Sequence, residues 1–346
     1  VMRFLLSAGF ALLASQQVGS SPSSSSSSCS SSDASSTCSS SACGNLTTVN
    51  IADFLSLADV GRRAAAVELF DAAMRELGVV CLVGTALKAS VASALDDAAR
   101  EVFAMPLEVK RRLGRDPDRY GPEGYTSIGV EAVARSSQEK AAVADAVESM
   151  VLKGDSSLCG EHDELRRLCA AAVEYWTAME LSLEATHLLA SAALGAAEGE
   201  DYFSPSYRGS NGNALRLANY PPSSGWRYGE HTDFQTFTLL RLDPGVPGLQ
   251  VQSRDGAWLD VAVNSPTALV VNAGDLTAVW TNGRWRSAPH RVTTDSENKP
   301  RRSTAFFTGP DNEALISPIL RQGEAANYEP VKAGEHLLAK IAATTV

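Results

Sequence analysis

After Asp201 the chain leaves helical patterning and enters a succession of short segments rich in Val, Leu, Thr and aromatic residues. They run from Leu215 to Tyr220, Thr236 to Leu240, Leu249 to Gln252, Trp258 to Val263, Ala268 to Asn272, Arg291 to Thr294 and Thr304 to Thr308. Turn residues separate them at the roughly 8–12-residue spacing of a sandwich or barrel. Strands joined this closely pair antiparallel, because parallel neighbours need a long crossover between them. The segment before them reads differently. Gly61 to Gly78 places Ala65, Leu69, Ala72, Ala73 and Leu77 at helical spacing, a second helix fills Ser90 to Phe103 and stops before Pro106, and a long one fills Glu164 to Leu194. Thr48 to Ile51 and Val79 to Val83 are short strands, and Tyr120 to Tyr125 is a loop by its Gly and Pro content. Helices followed by a run of strands predict a mainly β fold with flanking helices, not an alternating βαβ sheet. No internal repeat is evident.

The N-terminal part is set apart by composition. Residues 1–14 place one arginine ahead of a short apolar stretch, the layout of a secretory or organelle-entry signal; the alternative is translated sequence upstream of the true start. Residues 15–47 are dominated by serine and carry too little apolar side-chain area to offset the entropy of ordering, so they are expected to be a disordered linker. The rest, 48–346, is expected to form one domain: a mostly helical part (48–204), a β core (205–310) and an extension with a helix (311–346). Localisation follows the first segment: the secretory pathway or an organelle with a signal, the cytoplasm without one. Asn45-Leu46-Thr47 fits the glycosylation acceptor pattern, which matters only on the secretory route. Cys29, Cys38 and Cys43 lie in the serine tract and Cys81, Cys159 and Cys169 further on. Cys159 and His162 have C-x-x-H spacing, but no second pair completes a zinc site. A disulfide framework is not expected in a chain long enough for a large core, so the downstream cysteines read as core or helix residues. The formal charge of −10, with 40 Asp+Glu against 30 Lys+Arg, offers no basic footprint for nucleic acid. No apolar run is long enough to span a bilayer.

Within the β region stands Glu230-His231-Thr232-Asp233. Residues two apart on an extended segment point the same way, so His231 and Asp233 can aim at one point. His290, in Ser287-Ala288-Pro289-His290-Arg291-Val292, can reach that point from a later strand. Two imidazoles and one carboxylate on one side of a metal form the facial triad of non-haem Fe(II) oxygenases. Alone, the pattern is weak and reads rather as a surface turn with a capping Asp. Support comes from Arg301 and Ser303, again two apart: a planar fork and a hydroxyl able to grip a carboxylate, with Arg302 pointing away. Of the other histidines, His187 is expected on a helix face and His162 and His336 in solvent. Asn272 and Asp275 read as turn residues.

These residues, with Leu215 to Pro222, Pro247 to Val251, Asn272 to Leu276, Thr281 to Gly283 and Pro289 to Val292, resemble the 2-oxoglutarate/Fe(II)-dependent dioxygenases of the isopenicillin N synthase-like family. The resemblance spans roughly Val49 to Ile319. It implies a distorted double-stranded β-helix, or jelly roll, flanked by helices. It implies that His231, Asp233 and His290 bind Fe(2+), that Arg301 and Ser303 hold the distal carboxylate of 2-oxoglutarate, and that Tyr220 stands near the co-substrate's other carboxylate. Two departures stand out: Ala218 where many members carry an asparagine, and Gly84-Thr85-Ala86 where many carry Asn-His-Gly. The implied reaction consumes O2 and 2-oxoglutarate, releases succinate and CO2, and hydroxylates or desaturates a small organic metabolite, with ascorbate as a reductant. The alternatives are an oxidase that dispenses with 2-oxoglutarate and a catalytically silent jelly roll that binds a ligand. Phe307, Phe234 and Tyr125 are candidate substrate contacts, and a monomer acting on a small molecule is expected.

Overall fold

The computed structural model describes residues 42–114, 123–134, 144–154, 156–207, 212–223, 226–294 and 298–344. The expected signal, nearly all of the serine-rich segment and Tyr120 to Pro122 lie outside them. The strands are β1 (Thr48–Asn50), β2 (Val79–Val83), β3 (Gly124–Thr126), β4 (Glu148–Leu152), β5 (Ala214–Tyr220), β6 (Tyr228–His231), β7 (Phe237–Leu242), β8 (Leu249–Gln252), β9 (Trp258–Val261), β10 (Leu269–Ala273), β11 (His290–Val292), β12 (Arg301–Phe307), β13 (Leu315–Ile316) and β14 (Val331–Lys332). The larger sheet has the order β1-β2-β10-β7-β12-β5-β4-β3 and the smaller β6-β11-β8-β9. Every pairing in them is antiparallel except β1 with β2. This is the expected jelly roll, and its helices are α1 (Ile51–Leu55), α2 (Val60–Glu76), α3 (Ala89–Ala104), α4 (Leu107–Arg112), α5 (Leu158–Glu161), α6 (Arg166–Ala193), α7 (Asp275–Trp280) and α8 (Ala333–Thr344).

Alternation decides which side chains meet in the middle. On β5, Ala218 and Tyr220 join Leu242 and Val270 of the larger sheet against Leu249, Val251, Val261 and Val292 of the smaller, and this apolar cluster fills the space between the sheets. Leu215 and its cross-strand partner Phe306 face the opposite way. There Phe306, fully buried, meets Trp176 of α6 edge-on with ring centroids 4.9 Å apart. The long helix predicted over Glu164 to Leu194 therefore exists to cover the back of the larger sheet. Among the described residues, no helix is long and apolar enough to cross a membrane.

Four expectations change. Cys43 pairs with Cys81, and Cys159 with Cys169; the C-x-x-H spacing is thus spent on a disulfide. The ordered part begins before Thr48, since Cys43 and Leu46 are buried against the core and Asn264 N–H donates to Ala42 O at 2.8 Å. Gly124–Thr126 is a strand, paired with a second strand at Glu148–Leu152 that the Ala-rich run before it disguises. Asp275–Trp280 is a short helix, not merely a turn.

Candidate active site

β6 ends at His231 and β11 begins at His290, and the two are direct antiparallel partners. Their rings lie 4.2 Å apart. Asp233 follows β6 by two residues, with its Oδ1 3.8 Å from His231 Nε2 and 3.7 Å from His290 Nε2. The three ligand atoms all lie within 4.8 Å of one another.

The surroundings orient each of them. His231 Nδ1 lies 2.9 Å from Gly229 O, and His290 Nδ1 lies 3.0 Å from Ala288 O. A carbonyl only accepts, so each Nδ1 carries a proton and each Nε2 is the ring nitrogen that faces Asp233. Burial, with His290 next to it, holds the His231 imidazole far below its ordinary range, hence neutral. Burial works to raise Asp233, but the two imidazoles and hydrogen bonds from Thr238 and Asn272 keep its carboxyl below the usual value. Thr238 Oγ1 and Asn272 Nδ2 both donate to Asp233 Oδ2, the latter at 2.6 Å, which leaves Oδ1 for the histidines. Thr238 and Asn272 are cross-strand partners on β7 and β10. Reading Asn272 as a turn residue missed this role; its Asp233 contact spans two strands and has no local signature.

A cavity of about 1260 Å³ opens beside this cluster, bordered by His231, Asp233, Phe234 and Phe307 among others. Phe234 and Phe307 thus stand where a substrate contact would be. Tyr125 does not. Its strand neighbour Thr126 borders the cavity, so alternation turns Tyr125 to the other face. There its hydroxyl donates to Glu148 Oε2 at 2.6 Å, beside Lys110 Nζ on the same oxygen at 2.6 Å. Also on the cavity wall, and not anticipated, is a buried polar network. Glu131 Oε2 accepts from Arg216 Nη2 at 2.7 Å and Tyr228 Oη at 2.9 Å, and Oε1 accepts from Ser149 Oγ at 2.8 Å. Tyr228 in turn packs edge-on against His231 at 4.9 Å.

Arg301, Ser303 and Tyr220 lie in the interior between the sheets. Arg301 and Tyr220 are cross-strand partners, with the guanidinium 5.1 Å from the ring centre. Tyr220 therefore belongs at the Arg301 end of the site, not at the opposite end as expected. Gly248, at φ +127°, packs beside Arg301 and against the β11 end: a Cβ there would stand 2.8 Å from Thr293 O. Among the other histidines, His187 is buried in α6, with Nδ1 3.1 Å from Ser204 Oγ, and His336 is half-buried, not in solvent.

Residues 211–310 match the family model of the 2OG-Fe(II) oxygenase superfamily, and residues 49–167 match that of the non-haem dioxygenase in morphine synthesis N-terminal region. The chain is 33% identical over 303 residues to the proline hydroxylase buaE of Petromyces alliaceus, covering 81% of this chain and 93% of that one. It belongs to the 2OG-Fe(II) oxygenase superfamily. A second relative of this oxygenase, the validamycin A dioxygenase of Streptomyces hygroscopicus subsp. limoneus, is 29% identical over 310 residues, 82% of either chain. A full-length Neurospora crassa protein, solved by crystallography in complex with alpha-KG, superposes with a TM-score of 0.73 at 25% identity, covering 85% of this oxygenase and 95% of that chain.

The residues present suit the cofactors of the superfamily. Two imidazoles and a carboxylate, converging from one side beside a cavity, are the donor set of a non-haem Fe(II) centre with open positions. Arg301 is buried, yet among the described residues its Nε and Nη1 have no hydrogen-bond partner. Buried guanidinium nitrogens left unfilled fit an anion, as the distal carboxylate of 2-oxoglutarate would be.

Proposed function

We propose that His231, Asp233 and His290 hold the iron of this 2-oxoglutarate-dependent oxygenase, and that Arg301 and Ser303 hold its co-substrate. The observation that carries the reading is the convergence of three ligand atoms whose far sides are already hydrogen-bonded, at the wall of a large cavity. Bound there, iron supplies the activation of O2, coupled to conversion of 2-oxoglutarate into succinate and CO2 and to oxidation of the substrate. The protein's own work is positional. Gly229 O and Ala288 O fix the imidazole tautomers, and Thr238 and Asn272 fix the carboxylate. The Arg301 fork sets the depth of the co-substrate, and Phe307 and Phe234 flank the substrate.

The substrate reading is a small molecule with polar groups, of which an amino acid is the simplest. Its support is the Glu131–Arg216 pair on the cavity wall beside Tyr228 and His231. A charged pair offers a cation to a carboxylate and an anion to an ammonium, and an apolar substrate would leave both without new partners. Relatives named as acting on proline and homoarginine are consistent with it. The test is succinate release from the Fe(II)-loaded protein against a panel of free amino acids and matched apolar metabolites. Turnover with an amino acid, lost in Glu131→Gln and in Arg216→Met, is expected. Turnover with apolar metabolites only would reject the substrate reading, and no succinate with any compound would count against the function.

We also propose that the protein folds in an oxidising compartment, as its signal-like N-terminal sequence suggests. The pairs Cys43–Cys81 and Cys159–Cys169 support this, since cytosolic redox conditions keep most thiols reduced.

A further inference from the structure

We propose that Arg227 is a second cation of the pocket that holds the distal carboxylate of 2-oxoglutarate, acting beside Arg301; this rests on the co-substrate role given to Arg301 above. Arg227 stands just ahead of β6, and its backbone N–H donates to Val292 O, at the end of β11, at 3.0 Å. Its side chain is fully buried. One nitrogen, Nη2, donates to Lys299 O and reaches Asn298 Oδ1 at 3.4 Å. Among the described residues Nε and Nη1 have no partner, the same two nitrogens that are unfilled on Arg301. Lys299 lies two residues before Arg301, so the backbone that Arg227 holds leads directly into β12. Burial above all lowers the Arg301 guanidinium, against Tyr220 and Asp243, and the charge of Arg227 adds to the lowering.

Among the described residues neither arginine has a carboxylate in ion-pair contact, and Asp243, the nearest candidate, is engaged by Arg302 through its backbone N–H at 2.9 Å and its guanidinium at 3.6 Å. Two buried guanidiniums with no ion-pair partner are unfavourable, and an entering anion offsets that cost. A dicarboxylate brings that charge, and two forks can engage both oxygens of one carboxylate group. Holding the turn through Lys299 accounts for Nη2 alone. It gives no reason for an arginine whose other nitrogens meet nothing.

The experiment compares two oxoacids on the full chain loaded anaerobically with Fe(II): 2-oxoglutarate, and 2-oxopentanoate, which has the same carbon count and no distal carboxylate. Binding is followed by calorimetry and by the iron-to-oxoacid absorbance. Arg227→Met is expected to weaken 2-oxoglutarate roughly ten- to a hundredfold while leaving 2-oxopentanoate within about twofold, the range of hydrogen bonds to a charged group. Equal loss for both oxoacids, or loss for neither, overturns the proposal. If Arg227→Met does not fold, Arg227→Lys decides: a several-fold preferential loss of 2-oxoglutarate supports it, and an unchanged ratio of the two affinities overturns it. Arg301→Met separates the two readings. If Arg301→Met lowers 2-oxoglutarate affinity and Arg227→Met does not, Arg227 alone is misassigned; if Arg301→Met leaves it unchanged, the co-substrate pocket itself is misplaced.

Discussion

Asp233 is held on the side away from the imidazoles by two donors that face each other across β7 and β10, Thr238 and Asn272. Removing one leaves the carboxylate free to rotate its oxygens away from the histidines. Asn272→Ala is therefore expected to weaken Fe(II) binding about 10–100-fold, the usual cost of losing a group that orients a metal ligand. Fe(II) titration followed by calorimetry checks it, and unchanged affinity would mean the hydrogen bond does no orienting. The ligands themselves were legible because H-x-D encodes a shared direction on one extended segment, and His290 because of its neighbours in the family pattern. Asn272 and the Glu131–Arg216 pair were not, because each joins residues far apart in the chain. Tyr125 was misread for a local reason: with Tyr120 to Tyr125 taken as a loop, the alternation that turns it from the cavity was invisible.

At the scale of elements, the cover of α6 over the larger sheet rests on pairs such as Trp176 with Phe306. Phe306→Ala should cost about 3–5 kcal/mol of folding stability, measured by chemical denaturation, because a fully buried ring leaves a cavity. The same helix carries a pH dependence. Burial pushes the His187 imidazole down to about 4, against a weaker pull from Asp201, so the folded state keeps it neutral. The unfolded chain binds a proton near pH 6.5 and the folded one does not. Stability from this site is thus full above about pH 6.5 and lost as pH falls toward 4, by on the order of 3 kcal/mol. His187→Phe should flatten that part of the stability-versus-pH curve; an identical acid slope in the variant would remove His187 as its cause. The long helices and most of the core strands were readable from period alone. β4 was not, because Glu148 and Ser149 are polar residues buried by partners that only the fold supplies.

For the molecule as a whole, the Cys43–Cys81 disulfide ties an N-terminal segment to the core, while Cys159–Cys169 links α5 to α6. Cys81 lies on β2, a buried strand, and Cys43 brings the end of the serine tract onto it. Reduction, or the double substitution Cys43→Ala with Cys81→Ala, is expected to lower stability by about 2–5 kcal/mol, read as a fall in melting temperature. Protein taken from its source cells should show no reactive thiol at Cys43, Cys81, Cys159 or Cys169, and free thiols there would argue against an oxidising compartment. Sequence pattern pointed to a β core with helical cover, and the family resemblance to the jelly roll, yet the disulfide pairing escaped both, since pairing depends on which strand a distant cysteine meets. The proposed chemistry of the molecule nonetheless turns on three side chains, His231, Asp233 and His290. Anaerobic titration of the full chain with Fe(II) and then 2-oxoglutarate, in the parent protein and in His231→Ala, Asp233→Ala and His290→Ala, decides whether they form its iron centre. The parent should bind one iron per chain and develop the iron–oxoacid absorbance, and each variant should lose both. Iron bound with undiminished affinity by all three variants would place the centre elsewhere.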